Sequence, residues 1–152
     1  MTKIDETDRR ILNLLQVDAD LSLEQVAQRV SLSTNSVWRR IRRLEAEGII
    51  LRRVAVIDPR SVGLSLTVFV SIKTRNHSIE WLDQFHAAAR HQPEIVEIYR
   101  MAGETDYLLK IFARSVEDYD RIYKKLISVV SIEDVSASFA MEVMKSETAL
   151  PI

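Results

Sequence analysis

The chain has 152 residues, of which 47% are hydrophobic and 28% are charged, and its formal net charge is −1. This length and composition are typical of a globular protein with one ordinary domain or two small ones. The absence of cysteine excludes disulfides, thiolate zinc sites and cysteine nucleophiles. No apolar run of 18 residues occurs, and the chain starts on an amphipathic pattern without a signal-peptide core. We therefore expect a cytoplasmic protein without a membrane segment.

The charge is unevenly distributed along the chain. Residues 1–60 hold 11 basic and 9 acidic side chains, whereas residues 61–152 hold 10 basic and 13 acidic ones. Within residues 33–53 alone, six arginines stand against two glutamates. A local basic stripe beside a mildly acidic remainder indicates a polyanion-binding module joined to a module of another kind.

Three helical patterns follow one another in the first fifty residues. The first starts after Asp5, which is its predicted N-cap. Ser22, with Gln25 three residues later, forms a capping box for a second helix of about two turns. Ser33 caps the third helix, and Gly48 ends it. Two short helices joined by a turn of three or four residues predict a helix-turn-helix.

The third helix separates its apolar and polar residues between two faces. Val37, Ile41 and Leu44 recur at helical spacing and define the buried face. Polar side chains at the first turn of such a helix reach base edges, and outward arginines bind guanine or phosphate oxygens. The predicted set of residues that bind double-stranded DNA is Ser33, Thr34, Asn35, Ser36, Trp38, Arg39, Arg40, Arg42 and Arg43.

The roles within this set differ. The residues assigned to the DNA groove are Thr34, Asn35, Ser36 and Arg39, and those assigned mainly to phosphates are Arg40, Arg42 and Arg43. Trp38 lies at the border of the apolar face, so the pattern leaves open whether it covers the core or stacks on DNA. A solvated arginine face is the alternative interpretation, and two consecutive capped helices in this register argue against it.

The remainder of the chain predicts a second module. A strand and linker are expected at 51–64, between a first domain at 1–50 and a second domain at 65–152. Periodicities in the second domain predict the ferredoxin-like order β-α-β-β-α-β. Its strands are expected at 66–74, 95–102, 107–113 and 135–145, and its helices at 78–92 and 115–130. The predicted fold is therefore α+β, with a winged-type helix-turn-helix of three helices followed by a ferredoxin-like domain.

One face of the predicted sheet carries no helix. Its side chains mix apolar and small polar groups, such as Thr67, Phe69 and Ser71. A half-apolar free face on a module of this size usually meets another subunit. We therefore expect a dimer, which lets two helix-turn-helix units read half-sites about 34–36 Å apart.

The whole chain resembles the Lrp/AsnC, or feast/famine, transcription regulators. The matching stretches are IDETDRRILNLLQVDADLSLEQVAQRVSLS, VWRRIRRLEAEGII, VAVIDPRSVGL and GETDYLL. The resemblance implies a bacterial, nucleoid-associated protein whose first domain binds DNA. It also implies that the second domain binds an amino acid and forms homodimers that assemble into tetramers or octamers. Ser31 stands where this family commonly has a turn glycine, so we expect it to adopt the turn conformation at some cost.

A narrower resemblance concerns the effector. RMAGETDYL, SFAMEVMK and ALPI look like the subgroup of cysteine-responsive detoxification regulators of enteric bacteria. This implies cysteine as the effector and control of amino-acid catabolism or detoxification genes. The alternatives are another effector, such as leucine, asparagine or proline, and an architectural DNA-binding protein without an effector.

By resemblance, the effector site lies at the loop 101–107. Backbone N–H groups at a glycine turn suit a carboxylate, and the acidic side chains of Asp106 and Glu104 suit an ammonium group. The alternative is a hairpin turn in which Gly103 supplies a positive φ and Asp106 accepts from a nearby backbone N–H, and both interpretations can hold together. The implied effector residues are Arg100, Met101, Ala102, Gly103, Glu104, Thr105, Asp106, Tyr107, Val116, Ser136, Ser138 and Ala140.

Other classes of function lack their signatures. The three histidines, His77, His86 and His91, do not have metal-ligand spacing and are interpreted as surface residues. No phosphate-cradling glycine loop or nucleophile motif occurs, and the aromatic-rich strand signature of RNA binding is missing. We expect no enzyme activity, no metal, and no cofactor besides an amino-acid effector.

Overall fold

The structure of the chain is a computed structural model that describes residues 4–152. It divides into two compact units: the first ends at Val56 and also includes Met144–Ile152, and the second is Ile57–Val143. The observed boundary falls inside the predicted linker at 51–64. The C-terminal segment, which we assigned to the second domain, groups with the first unit instead. Residues 1–3 of the predicted first domain lie outside the described residues.

The first unit is built on three helices: α1 (Glu6–Leu15), α2 (Leu23–Val30) and α3 (Thr34–Ala46). The three predicted N-caps are confirmed. Asp5, Ser22 and Ser33 each accept a hydrogen bond from the backbone N–H three residues later. Capping of this kind satisfies backbone donors that have no partner inside the helix, so it sets where each helix begins. The apolar faces of the helices meet in a buried cluster of Ile11, Val26, Ala27, Val30, Val37 and Ile41.

The C-terminal segment of the first unit is held on α1 by side-chain amides. Gln16 donates from Nε2 to the carbonyl of Leu150 at 2.9 Å and accepts from the Leu150 N–H at 2.8 Å. Asn13 donates from Nδ2 to the carbonyl of Ile152 at 2.8 Å. These contacts explain why the segment belongs with the helices that lie far from it in sequence.

The strand predicted within 51–64 is not formed. Residues 51–58 pair with no strand of the described chain, and Leu51, Val54 and Val56 expose most of their surface. A strand needs a neighbour for its ladder of hydrogen bonds, and the described residues supply none at this position. A short 3-10 turn, Arg60–Val62, leads into the second unit.

The second unit has the predicted ferredoxin-like order. Its elements are β1 (Leu66–Lys73), α4 (Ile79–Arg90), β2 (Ile95–Arg100), β3 (Tyr107–Ala113), α5 (Val116–Ile127) and β4 (Asp134–Phe139). The four strands form one antiparallel sheet in the order β2-β3-β1-β4. The last strand is shorter than the predicted 135–145, since the Ala140 N–H makes the final bond to β1, at Thr67, and Met141 is exposed.

Alternation along the strands divides the sheet into a buried and a free face. Val68, Val70 and Ile72 of β1 are buried beneath the helices together with Phe85 of α4 and Ile122 of α5. The opposite face carries Thr67, Phe69 and Ser71, as the period-2 pattern predicts. Phe69 is 38% exposed there, so the face is partly apolar and uncovered in the single chain.

Candidate DNA-binding surface and effector loop

The turn between α2 and α3 depends on one strained residue. Ser31 adopts the left-handed conformation, with φ 59° and ψ 46°, and is the only residue other than glycine with positive φ among residues 4–152. A side chain in this region costs about 1–2 kcal/mol relative to the right-handed one. The turn conformation expected of Ser31 is therefore confirmed, and the turn positions the start of α3.

The N-terminus of α3 presents polar groups without an acid. Ser33 accepts from the Ser36 N–H at 3.2 Å, and the two hydroxyls lie 2.8 Å apart. Ser36, which is assigned to the groove, thus already has the cap residue Ser33 as a partner, whereas Asn35 is exposed. No acidic residue occupies the first turn, so the positive end of the helix dipole remains uncompensated. An anion is favoured at such a terminus.

Four predicted DNA-binding residues form one exposed face, which we call the recognition face: Asn35, Trp38, Arg39 and Arg42. Their spacing of three and four residues aligns them along one side of α3. Trp38 is 50% exposed, so it lies at the surface of α3 and is not part of the buried core. Arg42 pairs with Glu45 at 3.2 Å, whereas Arg39 has no ion pair with any described residue.

The remaining two predicted phosphate contacts, Arg40 and Arg43, are engaged inside the first unit. Arg40 donates from Nη1 to Asp8 and to Asp5, both at 2.7 Å, and Arg43 also pairs with Asp8. The Asp8 side chain is fully buried. The hydrogen bond from Arg40 is the main cause that lowers the pKa of Asp5, and the bond to Asp5 is the main cause that raises the pKa of Arg40. These pairs fasten α3 to α1.

The predicted effector loop between β2 and β3 is closed by backbone bonds. The Met101 N–H donates to the Asp106 carbonyl at 2.8 Å, and the Asp106 N–H donates to the Ile72 carbonyl at 3.0 Å. Asp106 Oδ2 accepts from the Thr74 N–H at 2.8 Å. Gly103 has φ 132°, which disfavours any other residue. The hairpin alternative is therefore realised, and Oδ1 of Asp106 keeps its capacity for a further donor.

The sheet register separates the loop from part of the predicted effector set. Tyr107 lies beside Ile72, and Ile72 beside Val135, at the end of the sheet where the loop emerges. Val116 follows the opposite end of β3, about 20 Å away for a strand of this length. Ser136, Ser138 and Ala140 lie on β4 and its end, progressively farther from the loop. Within one chain, the predicted effector residues therefore do not all meet.

Residues beside the loop line a cavity that the sequence did not indicate. Arg100 and Tyr107 flank the loop and face each other across β2 and β3. With Ile98, and with the exposed His86 and Arg90 of α4, they line an open cavity of about 280 Å³. The spacing of His86 and Arg90 was the available signal, because residues four apart share one side of a helix.

The described part of the chain meets the requirements of neither a metal centre nor a membrane helix. Among residues 4–152, no three His, Asp or Glu side chains are grouped so that they could hold a metal ion. The helices of this part of the chain are also too short or too polar to cross a membrane.

The fold and surface define a two-domain DNA-binding regulator, with a helix-turn-helix in one unit and a separate ferredoxin-like sheet in the other. A winged helix-turn-helix DNA-binding domain matches residues 4–50, and an Lrp/AsnC ligand-binding domain matches residues 67–150. The chain belongs to the Lrp/AsnC family of transcription regulators. Members of this family are regulators rather than enzymes, respond to amino acids and are typically homo-oligomers.

Relatives match over nearly the full chain. A glutamate uptake regulatory protein of Zymomonas mobilis is 49% identical over 150 residues, which cover 99% of this chain and 92% of that protein. The DNA-binding transcriptional activator DecR of Escherichia coli is 46% identical over 150 residues, which cover 98% of this chain and 99% of that protein.

Solved structures match over a similar share. An AsnC family transcriptional regulator from Agrobacterium tumefaciens has a TM-score of 0.93 at 48% identity and covers 97% of each chain. A transcriptional regulator of Neisseria meningitidis in complex with L-Met has a TM-score of 0.92 at 32% identity, covering 98% of this chain and 97% of that one. The predicted family and fold class are thereby confirmed.

Proposed function

We propose that the recognition face of α3 reads operator DNA in the major groove. Arg39 carries this assignment, because it is exposed, has no ion pair with a described residue and lies one turn after Asn35. Thr34, Ser36 and the helix N-terminus supply further donors close to the groove and the phosphates. Arg42 leaves its ion pair with Glu45 when DNA binds and contacts a phosphate instead. Arg40 and Arg43 contribute positive charge near the backbone, with Asp8 as their resident partner.

DNA binding is tested by following affinity against salt concentration. Each phosphate that a cation of the protein neutralises makes the slope of log K against log salt more negative by about 0.9. We expect Arg39→Ala and Asn35→Ala to change sequence preference in a selection from random duplexes, and Arg43→Ala to weaken binding to all sequences. Arg114→Ala, on the second unit, is the matched control. Equal affinity of the wild type and the Arg39/Arg43 double alanine variant would refute the assignment of the recognition helix.

We further infer that the loop 101–107 binds an amino-acid effector. The N–H groups around Gly103 suit its carboxylate, and the free oxygen of Asp106, with Glu104 nearby, suits its ammonium group. Because Val116 and Ala140 lie far from the loop in one chain, a second copy supplies them, together with Ser136 and Ser138. The effector site is thus completed by assembly of dimers into tetramers or octamers, which couples ligand binding to DNA affinity.

The identity of the effector is open to direct measurement. Subgroup resemblance favours cysteine and control of amino-acid catabolism or detoxification genes, whereas the relative from Zymomonas mobilis is named for glutamate uptake. The purified chain is titrated with the twenty amino acids, with cysteine under reducing conditions, while melting temperature and assembly size are recorded. We place the protein in the bacterial cytoplasm, associated with the nucleoid when it is bound to DNA.

The loop assignment is tested by two substitutions. Asp106→Ala removes both the ammonium partner and the acceptor for the Thr74 N–H, so it weakens the response and also lowers stability. Glu104→Gln changes an exposed side chain and isolates the electrostatic contribution. A response that survives Asp106→Ala unchanged, or a titration in which no amino acid alters melting or assembly, contradicts the proposed effector site.

A further inference from the structure

The cavity beside the effector loop concentrates positive charge. His86 and Arg90 lie one turn apart on α4, and Arg100 ends β2 directly before the loop. All three side chains line the same cavity of about 280 Å³. A volume near the lower end of the range for small-molecule sites suits a ligand as small as an amino acid.

Neither arginine has a counter-charge among the described residues. No carboxylate oxygen of residues 4–152 lies within 4.0 Å of the side-chain nitrogens of Arg90, Arg100 or His86. A second cavity of the same unit, of about 350 Å³, shows the contrast, because its arginine, Arg75, pairs with Glu133 at 2.6 Å. Two arginines that line one cavity without an acid favour an anionic occupant.

Tyr107 adds a hydrogen-bond donor that has no acceptor among the described residues. Its side chain is only 3% exposed and lines the cavity, yet its hydroxyl bonds to none of the described residues. The ring is held between Phe85, at 4.9 Å between centroids, and Trp81, at 5.6 Å. Because the ring is fixed and the hydroxyl has no partner among the described residues, it is available to donate to an acceptor in the cavity.

We propose that this cavity is a carboxylate-binding subsite of the effector site and that it selects an amino acid with an acidic side chain. The inference rests on the proposed function, in which the loop 101–107 holds the α-carboxylate and α-ammonium groups. Arg90 and Arg100 then bind the side-chain carboxylate, and Tyr107 donates to it. Guanidinium groups match a planar carboxylate with two parallel bonds, which a neutral side chain such as that of cysteine cannot accept.

The test compares ligands that differ in one group. Binding of L-glutamate, L-glutamine, L-cysteine and glutarate to the full chain is measured by isothermal titration calorimetry. We expect the wild type to bind glutamate at least about tenfold more tightly than glutamine, since each charge-assisted bond is worth that factor or more. Arg90→Gln should bring the ratio close to one. Arg114→Gln, which changes an exposed arginine away from the cavity, should leave the ratio intact.

Tyr107→Phe isolates the hydroxyl, because it preserves the ring packing. It should weaken glutamate binding by about fivefold to tenfold and glutamine binding by less, because the glutamine amide oxygen is an uncharged acceptor. Equal affinities for glutamate and glutamine in the wild type, or an unchanged ratio in Arg90→Gln, overturn the subsite. Glutarate lacks the α-ammonium group, so glutarate that binds as tightly as glutamate overturns the proposal that the occupant is an amino acid. If only neutral amino acids bind, the carboxylate subsite is overturned and the proposed effector site stands. If no amino acid binds, the subsite and the effector site are both overturned.

Discussion

Asp8 of α1 and Arg40 of α3 form an ion pair of 2.7 Å in which the carboxylate is completely buried. Arg43 binds the second oxygen of the same carboxylate, so one acid holds two arginines of the recognition helix. The capping box of α1 takes part as well, because the Asp5 N–H donates to Asp8 at 3.0 Å. The orientation of the recognition face therefore depends on a carboxylate that never reaches the surface.

Asp8→Asn tests this dependence. The substitution keeps the shape of the side chain but leaves both arginines without a buried counter-charge, so we expect a loss of about 1.5–3 kcal/mol in the free energy of unfolding. Urea denaturation of the full chain measures the loss. Asp20→Asn is the control, because Asp20 is exposed and its carboxylate makes no bond to a described residue. Equal losses for the two variants would contradict a structural role for Asp8.

Arg39 and Arg43 separate DNA contact from support of the helix. Arg43→Ala should lower the free energy of unfolding by about 1–2 kcal/mol, since it removes a charge-assisted bond to a buried acid. Arg39→Ala should leave unfolding within about 0.5 kcal/mol of the wild type, because Arg39 is exposed and has no ion pair with a described residue. Both variants should bind DNA less well. If Arg43→Ala unfolds at the same free energy as the wild type, the pair with Asp8 does not stabilise the fold and Arg43 only contacts DNA.

Local chemistry made most of the fold predictable, and long-range contacts account for what was missed. The caps Asp5, Ser22 and Ser33 act within three residues of themselves, so the sequence places them correctly. The pairing of Asp8 with Arg40 spans α1 and α3, and no local pattern reports it. The contacts between the segment 144–152 and α1 join residues that are even farther apart in sequence. The exposure of Asn35, Arg39 and Arg42 likewise follows from local helical spacing, whereas the cavity beside the loop 101–107 joins α4 to two strands and has no such local pattern.

Ser31 offers a stabilising substitution. Glycine adopts the left-handed conformation without steric cost, so Ser31→Gly should raise the free energy of unfolding by about 0.5–1 kcal/mol once the greater freedom of the unfolded chain is subtracted. Ser128 ends α5 in the right-handed conformation and donates from its hydroxyl to the Lys125 carbonyl at 2.9 Å, so the contrasting variant Ser128→Gly should destabilise. Thermal and urea unfolding report both changes. A Ser31→Gly variant that is less stable than the wild type would show that its side chain makes a compensating contact.

The C-terminal segment should be released by one substitution on α1. Gln16→Ala removes both bonds to Leu150 and should cost about 1 kcal/mol, because the bonds are exposed to water. Hydrogen exchange gives the sharper measurement, since the Leu150 amide should be protected in the wild type and exchange faster in the variant. Gln28→Ala, an exposed glutamine of α2 without a side-chain bond to a described residue, is the control. Fast exchange at Leu150 in the wild type would mean that the segment is not held.

Arg121 of α5 makes the stability of the second unit depend on acid pH. It donates to Glu94 at 2.7 Å and to Asp118 at 2.8 Å, and its hydrogen bond is the main cause that lowers the pKa of Glu94 below the ordinary value of 4.5. A carboxyl whose pKa falls on folding stabilises the folded state above the unfolded pKa, and this contribution is lost as the pH falls through the folded pKa.

Glu94→Gln should therefore be less stable than the wild type at pH 7, and the difference should shrink as the pH falls below about 4.5 and vanish once Glu94 is protonated in the folded wild type. Urea unfolding at a series of pH values measures the difference. Glu142→Gln is the control, because Glu142 is exposed and has no ion pair with a described residue. A difference between Glu94→Gln and the wild type that persists unchanged at the lowest pH would mean that packing, rather than the charge, explains the loss.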